Sequence, residues 1–355
     1  MPCPSIDVGR DAKWAAAVII AAVLVFSIVA VAFVLDQQGQ EGTPDRDTVH
    51  GGPTASYTIY REGSETRSES NISDGVLFAS DDSRDVIQRT IDMTSPGDSV
   101  LVRAGEYELK DAVAVPDGIT MGGEGPATVF IGQGMEAFTI TERTNVTMAN
   151  FTLRGSGPIV VAGHDRPASN ILIKDVTATV DTSHEGVFYV LSIDTVVSNV
   201  TFLRCTAIDC GTNGFINNGD GRGWIENISY IDCSAVRCGL EERYNDWIVG
   251  FDLAERVNIR NMTVQGCVAN DNWQSGFHFE PPAELENMVM HDCVSNNNGR
   301  SEGSPDGNGY GWGYLIYDRP WHDVSLLNCT ASGNYRGDTD LGPLTPEFRT
   351  LGARR

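Results

Sequence analysis

Residues 199–210 read NVTFLRCTAIDC and residues 227–238 read NISYIDCSAVRC, one block of twelve written twice. Five more copies start at Asn145, Asn170, Asn261, Asn287 and Asp323. A block that recurs at such intervals marks a solenoid, because each copy is one structural unit that buries its apolar face only against its neighbours. Successive starts are 25, 29, 28, 34, 26 and 36 residues apart, so a constant block alternates with loops of variable length. Positions two and four of the block are apolar in every copy, and position three is Thr or Ser in five of the seven. That alternation is the period of a strand with one buried face.

Coils stacked ~4.8 Å apart would set each first-position Asn above the next, and amides so placed bond up and down a ladder. The seventh position runs Phe151, Val176, Cys205, Cys233, Cys267, Cys293, Cys329, an inward column in which a small buried thiol packs as a hydrophobe. The twelfth runs Ser156, Asp181, Cys210, Cys238, Asn272, Asn298, Asn334. Cys210 and Cys238 share that column on adjacent coils, within reach of a disulfide or as two packed thiols.

The repeats, together with the entry SRDVIQRTIDMTSPGDSVLVRAGEYELKDAVAVPDGITMGGEG at 83–125, resemble the pectate-lyase-like superfamily. The resemblance implies an all-β fold, a right-handed parallel β-helix over 77–340, closed at its entry by a short amphipathic capping helix near Arg84 to Met93. An open solenoid end exposes unpaired backbone, which is why a cap is needed. It also implies polysaccharide as the partner class. The only GHD, at Gly163 to Asp165, lacks the Gly that follows it in polygalacturonases, and no Arg-X-Pro-X-X-Arg of the pectate lyases is present. Fold alone leaves the reaction open.

Ahead of the repeats, residues 14–35 are 22 residues without a charge, long enough for one transmembrane helix. Arg10 and Lys13 precede the run, which predicts a cytoplasmic 1–13. Residues 36–76 are polar and Gly-rich and read as a flexible extracellular stalk, and 341–355 as a C-terminal tail. The expected location is therefore the cell membrane, single-pass, with the β-helix outside; the alternative is a cleaved signal ending near Ala30 and Ala32. The net charge of −23, with three lysines in 355 residues, argues against nucleic acid as a partner, which needs a basic face. Seven Asn-X-Ser/Thr sequons occur, but four of them, at Asn145, Asn199, Asn227 and Asn261, are ladder positions; Asn71 is the best placed for a glycan.

Chemistry is expected on the outward face of the returning strands, GFINNG (214–219), IVGFDL (248–253), GFHFEP (276–281) and YLIYDR (314–319). With Phe215, Val249, Phe277 and Leu315 inward, the outward column is Asn218, Asp252, Glu280, Asp318, with His278 beside it. Carboxylates on neighbouring rungs raise one another's pKa. Two uses present themselves. One is catalysis by Glu280 as acid and Asp252 or Asp318 as base, with His278 nearby and Arg319 meeting an anionic substrate, as a polysaccharide lyase or glycoside hydrolase. The other is Ca²⁺, held by Asn218, Asp220 and Asp252. Trp273, Trp312, Trp247, Tyr317 and Arg243 lie in or near the surrounding loops and read as a sugar-stacking set. The alternative function is a non-catalytic cell-surface or envelope protein that binds glycan.

Overall fold

The computed structural model describes residues 55–71, 75–181, 185–239, 248–280, 284–299, 311–316, 322–340 and 349–351. The apolar run 14–35 lies outside them, and among the described residues no helix is long and apolar enough to cross a membrane. The fold is all-β, built of two sheets of twenty and nine strands. In the smaller sheet the nine strands lie side by side in chain order from Val113–Ala114 to Gly337–Asp340, every neighbouring pair parallel. Only a chain that coils once per strand produces such an order, so the molecule is a parallel β-solenoid.

Coil entry is capped as the amphipathic pattern predicts. The helix Ser83–Asp92 buries Val86, Ile87 and Ile91, and the Asp82 side chain accepts from the Asp85 amide at its first turn. Part of the segment read as a stalk belongs to the fold instead. Tyr57–Glu62 and Glu65–Ser70 form an antiparallel hairpin, and Tyr57–Ile59 also pairs in parallel with Val100–Val102. Alternation of Ile59, Thr66 and Ser68 into the interior marks this hairpin as part of the fold.

The repeats stack in register, coil on coil. Nδ2 of Asn170, Asn199, Asn227, Asn261 and Asn287 each donates to Oδ1 of the Asn one coil earlier, at 2.7 to 3.0 Å. All seven first positions also have left-handed backbone, φ 54° to 59°. The residue type is therefore chosen twice over, since Asn and Asp tolerate that conformation better than other side chains. The sixth position is left-handed in every copy as well, through Asn150, Asp175, Arg204, Asp232, Gly266, Asp292 and Asn328. At six of seven the eleventh is too. Each block is thus a short strand, a bend, a shorter strand and a second bend. Arg204 and Arg237 occupy bends that arginine disfavours, and each is held by a two-pronged ion pair one coil back, to Asp175 and Asp209.

Inside, the seventh-position thiols sit just past the sixth-position bend. Sγ of Cys205, Cys233, Cys267, Cys293 and Cys329 points at a carbonyl of the preceding coil at 3.3 to 3.6 Å. Cys210 and Cys238 pack as thiols, with no disulfide between them. Below Cys238 the twelfth column continues as a second amide ladder: Asn272 donates to Asn298 and Asn298 to Asn334, at 2.9 and 2.8 Å. Across the core runs a stack of rings, Phe188, Phe215, Phe251, Phe277 and Tyr314, with centroids 4.6 to 5.2 Å apart and planes within 15°.

Candidate active site

That ring stack fixes which residues share a rung on the smaller sheet. Each ring from Phe215 onward follows a glycine: Gly214, Gly250, Gly276 and Gly313. A Cβ at Gly214 would lie 2.7 Å from the Gly250 carbonyl oxygen and 2.8 Å from Ala235 Cβ, and the other three are as tightly placed. The sheets approach too closely there for any side chain, so the Gly-aromatic pair is the true marker of the returning strand.

Set on that marker, the outward column beside the rings is Ile216, Asp252, His278, Leu315. This corrects the expected register, which matched Val249 and Leu315 to the ring positions; Leu315 faces outward, and Phe251 and Tyr314 take the inward places. Asp252 has His278 as its neighbour, with Asp252 Oδ1 3.5 Å from His278 Nδ1. Both side chains are almost fully buried. Glu280 lies one step further along, its amide donating to the Ala254 carbonyl at 2.9 Å. Asp318, Arg319, Arg243, Trp247 and Tyr317 fall outside the described residues.

The strand Phe251–Glu255 carries a bulge. Ile216 faces Asp252 and Asn218 faces Glu255, so one strand advances three residues while its neighbour advances two. Leu253 and Ala254 consequently both enter the core, and Glu255 emerges on the same outward face as Asp252. Strict alternation would have turned Glu255 away.

Asp252, Glu255 and Glu280 consequently crowd together. Burial pushes the Glu255 carboxyl up to about 8, helped by the charges of Asp252, Glu185 and Glu280 and by a hydrogen bond with Asp252. Glu280 is also raised, by burial first and by Asp252, while His278 and Arg256 pull it down. One coil earlier, Asn218 donates to Glu185, and the Tyr189 hydroxyl lies 3.3 Å from the same carboxylate. Tyr189 packs with Val160, Ala162 and Ile216 in a small apolar cluster. Sequence reading missed Glu255, Glu185, Tyr189 and Arg256.

The expected Ca²⁺ ligands serve other ends. Asp220 accepts from the amides of Arg222 and Gly223 at 3.0 and 3.1 Å and is paired with the Arg222 guanidinium at 2.6 Å. Burial raises the Asp220 carboxyl, but those amides and Arg222 outweigh it and hold it well below the usual carboxylate range. Asn218 Oδ1 accepts from the Gly219 amide at 2.6 Å. Among the described residues no three His, Cys, Asp or Glu side chains are grouped to hold a metal ion. Trp273 packs against the core, and a Cβ at Gly337 would meet the Trp312 ring at 2.6 Å, so both rings have structural contacts.

No protein-family model matches this chain, and no curated protein matches it in sequence. Among solved structures it is similar to the polygalacturonase from Erwinia carotovora ssp. carotovora, at 12% identity and TM-score 0.48, over 86% of each chain. It is similar to the surface adhesin PfbA of Streptococcus pneumoniae, at 11% identity and TM-score 0.48, over 75% of this chain and 76% of the adhesin. A rhamnogalacturonan lyase matches at 15% identity and TM-score 0.43, over 70% of this chain; the match spans 64% of the lyase. Likeness at this level concerns the path of the chain, and the three include both enzymes and an adhesin.

Proposed function

We propose that the chain is a glycoside hydrolase acting on a polysaccharide, with Glu255 as general acid and Asp252 or Glu280 as the carboxylate that activates water or attacks the sugar. The observation that carries this reading is the bulge, which brings Glu255 beside Asp252 on a face where burial and the neighbouring carboxylates push its carboxyl up to about 8. Glycosidic bond cleavage asks for that division of labour, one carboxyl holding a proton and another lacking it. Hydrolysis fits better than elimination because elimination acts on an anionic uronate, and the groups described around Glu255 are mainly acids. Their negative field favours a neutral chain over an acidic one.

A second reading, a glycan-binding surface without turnover, is favoured by the near-complete burial of Asp252 and His278. In either case the apolar run 14–35, with Arg10 and Lys13 before it, supports a membrane tether that leaves the coils outside the cell. The separating experiment incubates the full chain with neutral and uronate polysaccharides and measures new reducing ends and unsaturated products. Reducing ends from a neutral polysaccharide, without unsaturation, are expected. Unsaturated products would point to a lyase, and binding without either product to the second reading.

A further inference from the structure

We propose that Asn217, which cannot reach the outward face, is a positioning residue that locks the bulge and so aims Glu255. This deepens the hydrolase reading and rests on it for its functional meaning, though not for its test.

The case begins with an anomaly in the core. Asn217 points inward, between the fully buried Val190 and Leu253, and is itself fully buried in an otherwise apolar column. A buried amide is tolerated only when its donors and acceptor find partners. Here the Tyr230 hydroxyl donates to Asn217 Oδ1 at 2.7 Å, and Asn217 Nδ2 donates to the Leu253 carbonyl at 3.0 Å. Leu253 is the first of the two residues that the bulge turns into the core. The interrupted sheet there receives a side-chain donor in place of a regular rung of the ladder. Tyr230 in turn is fixed by stacking on Phe202, centroids 5.2 Å apart.

Removing the bond to Leu253 favours the regular register, in which Ala254 faces out and Glu255 turns inward, away from Asp252. The groups that face Glu255 are Asp252 on its own strand, Glu185 from the preceding coils and Glu280 from the next, with Tyr189 beyond Glu185. In the regular register Glu255 leaves that acidic face for the apolar interior, where desolvation, already the largest cause of its raised value, raises it further.

The test follows the carboxyl carbon of Glu255 by NMR in the full chain, assigned with Glu255→Gln. The unaltered protein should titrate at about 8. Asn217→Leu should raise that midpoint by roughly one pH unit or more, a tenfold or greater change in proton affinity. Tyr230→Phe leaves the bond to Leu253 in place, so it should lower the melting temperature and leave the midpoint where it was. Should Asn217→Leu not fold, Asn217→Val repeats the test with the residue type that stands above it in the column. An unchanged or lowered midpoint in either folded Asn217 variant, or an equal shift in Tyr230→Phe, would overturn the proposal. So would failure of both Asn217 variants to fold while Tyr230→Phe folds, which would assign Asn217 to the fold alone. Because no glycan enters the measurement, a chain that cleaves nothing sinks the hydrolase reading and leaves this one standing.

Discussion

Asn218 stands opposite Glu255 although Ile216, two residues earlier, stands opposite Asp252. That single extra residue converts a strand of strict alternation into one that shows two carboxyls to the same face, and the chemistry proposed for this protein follows from it.

If Glu255 delivers a proton, cleavage should have a basic limb set by that group. Turnover at saturating glycan is expected to hold up to neutral pH and to fall as pH passes about 8, where Glu255 loses its proton. Steady-state rates across pH check this. A basic limb absent to pH 10 would remove Glu255 from the role.

The same proton links stability to pH. Glu255 is raised in the folded chain relative to an ordinary glutamate, so the folded state holds its proton more tightly than the unfolded state. Its favourable contribution is complete below the unfolded value of ~4.3 and is lost as pH rises through about 8. Melting temperature should therefore decline over that window by more in the unaltered chain than in Glu255→Gln. Parallel declines in thermal melts would argue that Glu255 titrates normally.

The amide ladder should contribute measurably despite its exposure. Asn227→Ala removes bonds to Asn199 and Asn261 and forces alanine into a left-handed bend. Its expected cost is about 2 kcal/mol, with roughly half of that for Asn227→Gly, which accepts the bend. Urea unfolding compares the two, and equal losses would mean that the backbone conformation contributes nothing.

Truncating the ring stack at its middle should be more damaging. Phe251 is fully buried between Phe215 and Phe277, so Phe251→Ala should cost about 3–5 kcal/mol. A loss under about 1 kcal/mol by chemical denaturation would show that the stack is loosely packed.

The coils were legible because their determinants are local: Asn or Asp at each first-position bend, apolar residues at two and four, and a Phe, Val or Cys at seven all show in the letters. The returning strands were misread because apolar alternation is ambiguous in a strand buried on both faces, where Ile216, Ile248, Val249 and Leu315 all look inward. The glycine before each ring would have resolved it. Glu255 was illegible for a different reason. A bulge depends on the partner strand, and its sequence trace is a lone Asn217 in an otherwise apolar core column. Glu185 and Tyr189 join the site from the preceding coils, a juxtaposition that only stacking creates.

Cleavage of one glycan by the unaltered full chain and by Glu255→Gln tests the central claim most directly. The account predicts that the variant keeps its fold and its glycan binding but cleaves at least ~100-fold more slowly. Cleavage at an equal rate by both proteins would contradict it.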